Sequence, residues 1–206
     1  MPLKFALALF VLADLAAALS VGLENPKNAV RAEWTRLVPM ILVGTALGVT
    51  LLVNLPRAAG MLLLGLFVVA FAAFTLLRRA NARVVASAWA WVAGFAGGIT
   101  STVFGAGGPP YAIYLSQRGL TKEQFRATLG LATLTSISLR LIAFAITGLL
   151  LDPDLWIKAI AVVPACLLGI WVARRIFLRL SRDALMRAVA LLLLASGTSL
   201  IFRAVL

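Results

Sequence analysis

Phe104-Gly-Ala-Gly-Gly-Pro-Pro110 lies inside a run of 34 residues, Val84 to Gln117, that carries no charged side chain. That run is too long for one ordinary bilayer crossing, which takes roughly 20 residues of helix. Nor can it be one continuous helix, because three glycines precede two prolines and proline removes a backbone donor while clashing with the preceding turn. The spacing therefore predicts two short helices meeting at the loop. Pro109 and Pro110 suit the first turn of the second helix, where the missing N–H groups have no intrahelical partner anyway. Irregular backbone at membrane depth is tolerated only where protein buries it or where it lines a watery cavity. A glycine loop also lets a ligand approach the backbone closely, and a helix start favours an anion.

On both sides of this element the chain is strongly apolar. Residues of hydrophobic type make up 63% of the 206 and charged residues only 13%, against roughly 45–50% apolar in an ordinary soluble domain. Mean hydropathy is +1.05. Predominantly apolar runs cover 3–23, 37–53, 58–77, 125–150, 155–173 and 184–205, each close to the length that spans the hydrocarbon layer. The expected fold is all-α, a polytopic helical membrane protein forming one transmembrane domain over 1–206. Residues 1–20 also carry some features of a signal peptide, with Ala16-Ala17-Ala18 near a cleavage-like position. Asp14 breaks that apolar stretch, however, and we expect a retained span.

The distribution of positive charge tests how the glycine-rich element sits. If it crosses once, the loops on the two sides hold 10 and 8 Lys and Arg residues, which is no bias. If it goes in and comes back, as a re-entrant hairpin or as two crossings, the counts become 14 and 4. The positive-inside rule prefers the second arrangement, placing the richer side in the cytoplasm and both termini outside a plasma (inner) membrane. A net charge of +12 is thereby explained by loops, and no nucleic acid partner is expected.

Sliding the chain along itself reveals a repeat at an offset of 125. Comparing 37–78 with 162–203 gives 11 identities in 42 positions, among them Pro39 and Gly44 on Pro164 and Gly169. With an in-and-out element between them, the halves 1–83 and 84–206 run in opposite senses, the inverted symmetry of many secondary transporters. The 84–117 element has no counterpart, because its equivalent would precede Met1. The first repeat is thus expected to be N-terminally truncated.

Two charges lie deep inside spans. Asp14 and Arg140 fall near the middles of the first and fourth of them, and the repeat places them at neighbouring levels of related helices. An unpaired charge there costs about 2.5–3.5 kcal/mol or more, so the two are expected to pair. The pair either fixes packing or serves as a substrate-binding arginine with a coupling carboxylate. Ser136 and Thr133 share the helical face of Arg140, a polar stripe that should point inward. Tyr111 and Tyr114 follow the loop on one face; they either line the pathway or anchor at the interface. Gly94 and Gly98 have the spacing of a close helix crossing.

The remaining chemistry is sparse. There is no histidine and one cysteine, Cys166, which leaves no His-based metal site, no intrachain disulfide and no nucleophile–base set. The glycine loop lacks the Gly-Lys-Ser/Thr ending of a nucleotide-binding P-loop. Neither an enzyme nor a bound cofactor or metal is expected.

At Gly94-Phe-Ala-Gly-Gly, then Phe104-Gly-Ala-Gly-Gly-Pro-Pro-Tyr-Ala-Ile-Tyr-Leu, then Phe125-Arg-Ala-Thr-Leu, the chain resembles the sulfite exporter TauE/SafE family of membrane transporters. The resemblance implies export or uptake of a small sulfur-containing or organic anion, such as sulfite or a sulfonate; the broken span, the inverted repeat and the buried arginine lead us to expect alternating access. That resemblance carries over Gly105, Gly107, Gly108, Pro109, Arg126 and Thr128 as binding positions; Tyr111, Tyr114, Ser136 and Arg140 join them from the reading above. Family members are similar in having a glycine loop in each half, and the first-half loop is absent here. That departure leaves a second reading: a noncatalytic membrane subunit that works with a partner chain. The expected partners are the bilayer and a small anion, and a homo-oligomer is compatible with the sequence.

Overall fold

The computed structural model describes residues 3–22, 26–54, 56–77 and 85–177. The apolar run at 184–205, and with it the second copy of the 57–78 segment, lies outside the described residues. Those described form helices and connecting turns with no strand. In chain order they are α1 (Leu3–Gly22), α2 (Arg31–Asn54), α3 (Arg57–Leu77), α4 (Trp89–Phe104), α5 (Gly108–Leu115), α6 (Lys122–Ile146) and α7 (Pro153–Phe177). The contacts divide the chain into two compact units, 1–53 with 82–169, and 54–81 with 170–206. The first holds α1, α4, α5, α6 and most of α2 and α7, and the second holds α3 and the end of α7.

Helix starts depart from the apolar runs. α2 begins at Arg31, six residues before the run at 37, because Arg31, Glu33 and Arg36 are helical even though they are charged. An apolar run marks what lipid or core will accept, while a helix continues as far as its backbone bonds and caps allow. α6 begins at Lys122 for a local reason: the Thr121 hydroxyl accepts from the Gln124 N–H at 3.2 Å while the Gln124 side chain accepts from the Thr121 N–H at 3.1 Å. This reciprocal capping box satisfies two otherwise orphaned donors. At the other end, α6 stops at Ile146 and a turn follows, with Gly148 at φ 75°.

Within the first unit, α2 and α4 cross at backbone contact. A Cβ at Gly94 would lie 2.7 Å from the Leu37 carbonyl oxygen, and one at Gly98 would lie 2.5 Å from that of Ile41. Gly48 faces α4 in the same way, 2.8 Å from Thr102 Cβ. This is the small-residue contact that lets two helices approach without a hydrophobic driving force between them and lipid. Tyr111, Tyr114 and Leu115 of α5 complete that cluster together with Leu37, Ile41 and Ala90. A second cluster joins α1 to α6, with Leu7, Ala8 and Val11 packed among Ile137, Phe144 and Leu155.

Among the described residues, α2, α6 and the 153–172 part of α7 are each long and apolar enough to cross a membrane. Their outward faces are apolar as well: Ile146 is 80% exposed and Ile160 77%. Large apolar side chains exposed in this way on helices of spanning length suit hydrocarbon and not water.

Candidate functional site

The glycine-rich element breaks where its sequence requires. Gly105 takes the left-handed conformation, φ 71°, and its N–H donates to the Ser101 carbonyl at 2.9 Å, while the Ala106 N–H reaches Thr100 at 3.1 Å. Such a glycine closes a helix by satisfying its last carbonyls. α5 then starts at Gly108 with Pro109 and Pro110 in its first turn. The chain returns to where it left, since the Val85 N–H donates to the Gln117 carbonyl at 3.1 Å. α4 and α5 therefore form a hairpin with the glycine loop at its tip.

Tyr111 holds the hairpin closed. Its ring, fully buried, lies on Gly97, where a Cβ would be 2.8 Å from ring carbon Cδ1 and closer still to its neighbours. Its hydroxyl donates to Ser136 of α6 at 3.1 Å. Gly107 is also enclosed: an added Cβ would lie 2.7 Å from Ser101 Cβ and 3.0 Å from the Gly97 carbonyl oxygen. Gly108, by contrast, has nothing within 4 Å of the position a Cβ would take. It faces open space.

That space is a cavity of about 300 Å³. Its walls are Asp14, Ala17 and Ala18 of α1, Ser101 of α4, Gly105, Gly107 and Gly108 of the loop, Tyr111 of α5, and Thr133, Ser136 and Ile137 of α6. Beside it lies Arg140, only 1% exposed. Arg140 Nη2 donates to Asp14 Oδ2 at 2.5 Å and Nη1 to the Ser101 carbonyl at 2.5 Å. The Nε–H is buried with no hydrogen-bond partner among the described residues. Asp14 is far more open, its side chain 38% exposed. Gly105 lies beside the guanidinium, its absent Cβ 3.4 Å from Nη1, which is ordinary contact distance, so what disfavours a side chain at position 105 is its φ of 71°.

The structure brings Gly105, Gly107, Gly108, Tyr111, Ser136 and Asp14 together around one cavity, with Arg140 behind it. It does not bring Tyr114, Arg126 or Thr128 there. Tyr114 lies at the other end of α5, and its hydroxyl donates to the Glu33 carboxylate. Arg126 is exposed on α6. Thr128 is buried and works as a clamp, its hydroxyl accepting from the Val30 N–H at 2.9 Å and donating to the Gln124 carbonyl at 2.7 Å. Pro109 is half-buried within α5's first turn.

A second polar cluster had no counterpart in the sequence reading. Glu33, 5% exposed, accepts from Arg118 Nε at 3.0 Å and Nη2 at 2.8 Å, and from Arg36 at 3.2 Å. Arg118 Nη1 also donates to the Val85 carbonyl at 2.6 Å. One carboxylate thus ties the open ends of the α4–α5 hairpin to the start of α2. The hydrogen bond to Glu33 pushes Arg118 above the usual arginine range, so its charge is constant. The only signal in the sequence is the i,i+3 spacing of Glu33 and Arg36; their partner lies 85 positions away from Glu33.

No solved structure matches this chain. A curated relative, the probable inner membrane transporter protein TsaS of Comamonas testosteroni, is 24% identical over 193 residues, which cover 93% of this chain and 81% of that protein. The family model for "Sulfite exporter TauE/SafE" matches residues 1–200. Those residues include the hairpin, its glycine loop and both members of the buried ion pair, and on that match the chain belongs to the sulfite exporter TauE/SafE family of membrane transporters.

Proposed function

We propose that the protein is a secondary carrier, most simply an exporter, for a small anion of the sulfite or organosulfonate class, which binds between the glycine loop and Arg140. The observation that carries this reading is a buried guanidinium with an unused Nε–H, beside a cavity walled by glycine backbone. A buried donor without a partner is costly unless something supplies an acceptor. A sulfonate or sulfite, with several oxygens around one centre, meets a guanidinium as a carboxylate does, through paired N–H bonds. The start of α5 contributes less than a full helix terminus, because Pro109 and Pro110 carry no N–H groups to offer. Charge recognition therefore rests on the arginine, and the loop supplies access.

Alternating access fits the same features. α5, with 8 residues, rises only about 12 Å, and α4, with 16, about 24 Å; neither matches the roughly 30 Å of hydrocarbon. Those lengths support a re-entrant hairpin with its tip near mid-membrane, and the positive-charge distribution supports placing its open end, with Arg118, on the cytoplasmic side. Pro39 and Pro164, matched by the repeat, each lie inside a helix, and α1 packs along α6, its partner in the repeat. These support two inverted halves rocking about a site at their shared level. The noncatalytic-subunit reading has no observation in its favour.

The seat is tested with a single reactive thiol. In a Cys166→Ser background, Ala18→Cys places the only cysteine on the cavity wall. We expect a water-soluble thiol reagent to label it and stop flux, and a sulfonate at about ten times its Kd to slow labelling roughly tenfold by mass action. A labelling rate indifferent to sulfite and sulfonates alike would place the anion elsewhere.

A further inference from the structure

We propose that Asp14 is a displaceable counterion: the incoming anion takes its place on Arg140, the released carboxylate accepts a proton, and one proton therefore accompanies each anion. This rests on the carrier reading and adds its coupling ion.

Three observations lead to it. Asp14 bridges cavity and guanidinium, with its side chain on the cavity wall and Oδ2 on Nη2. Arg140 itself is covered. The contact Asp14 makes is also incomplete. Nε–H and Nη2–H point along one edge of a guanidinium and form a two-pronged fork; Asp14 engages Nη2, and Nε is left bare. A free oxyanion, unconstrained by attachment to α1, can fill both prongs and so outcompete a carboxylate that fills one.

Charge decides what happens next. Arg140 and Asp14 together are neutral, and adding an anion leaves a net negative charge that water screens only in part, Arg140 being 1% exposed and Asp14 38%. Among the described residues, the other titratable group around Asp14 is Tyr111 of α5, already committed to Ser136. α4 presents only Ser101, α6 presents Thr133 and Ser136 besides Arg140, and the loop presents glycine. Among the described residues no lysine or arginine lines the cavity to neutralise the extra charge, and the chain has no histidine to take a proton instead. A hydronium ion drawn from the medium restores neutrality: one of its O–H bonds breaks, an O–H bond forms on the Asp14 carboxylate, and neutral water is left. When the anion leaves, the proton leaves and Asp14 returns to Nη2.

The test uses the purified full chain in detergent, in weak buffer with a pH indicator. The probe is isethionate, a small sulfonate that does not itself titrate near neutrality. We expect wild type to take up about one proton per isethionate bound, and its apparent affinity to fall about tenfold for each unit the pH is raised. Asp14→Asn, neutral at every pH, should bind isethionate at least as tightly, with no proton uptake and a flat pH profile. Binding by wild type without proton uptake overturns the proposal, as does proton uptake that survives in Asp14→Asn. Should that variant fail to fold, the wild-type stoichiometry decides by itself. An absence of isethionate, sulfite and sulfoacetate binding to wild type would instead sink the carrier reading beneath it.

Discussion

Replacing Arg140 with leucine is expected to reduce anion flux by more than about 100-fold, the effect of losing a charged recognition group worth roughly 3 kcal/mol. The same change should destabilise the protein. Removing one member of a buried ion pair typically costs about 3–5 kcal/mol, because its partner is left uncompensated. Here the lower end applies, since Asp14 is 38% exposed and water screens part of its charge. Stability and transport separate in the double variant. Adding Asp14→Asn to Arg140→Leu removes the orphaned charge, so the melting temperature should recover most of its loss while flux stays absent. Additive losses in melting temperature would show that the two residues do not interact. Arg140→Lys offers a further contrast: it keeps the charge and loses the fork. It should therefore retain part of the stability and much less of the transport.

Gly98→Leu should be among the most damaging single changes in the scaffold. A Cβ there sits 2.5 Å from the Ile41 carbonyl oxygen and 2.9 Å from the Thr45 nitrogen, both backbone atoms of α2. No rotamer change relieves a clash with backbone. The two helices must separate, which breaks the contact along Gly44 and Gly48 as well. We expect a loss of about 3 kcal/mol or more, at or beyond the usual range for overpacking, read as a fall in the thermal unfolding midpoint in detergent. Gly108→Ala is the control on the same hairpin. Nothing lies within 4 Å of its added methyl, so it should melt within a few degrees of wild type. Equal effects at the two positions would contradict the close α2–α4 crossing.

The two sites differ in how far sequence exposes them. The break at 105–110 was legible because glycine and proline constrain the backbone directly, wherever the rest of the chain goes. Asp14 and Arg140 stood out for another reason: a charge within an apolar run is expensive and rare, so its presence calls for a partner, and the 125-residue offset set the two at neighbouring levels. Glu33, Arg118 and Tyr114 carried no such mark. Each lies near a helix end, where charges and tyrosines are ordinary, and what joins them is the return of the hairpin to Val85. The Ser101 carbonyl was also invisible, because any residue supplies a carbonyl and only the fold aims it at Arg140. Tyr111 and Tyr114, three apart on α5, looked equivalent in sequence. Packing assigns one to the cavity wall and the other to the Glu33 cluster.

Flux across a sealed membrane tests the central claim most directly. Wild-type protein is reconstituted into liposomes preloaded with unlabelled sulfite or isethionate, and uptake of the labelled anion is followed against liposomes without protein. A carrier with its seat at Arg140 gives saturable uptake that each anion inhibits for the other and that Arg140→Leu abolishes. Uptake of sulfite, isethionate and sulfoacetate no faster than in empty liposomes, or unchanged by Arg140→Leu, would contradict it.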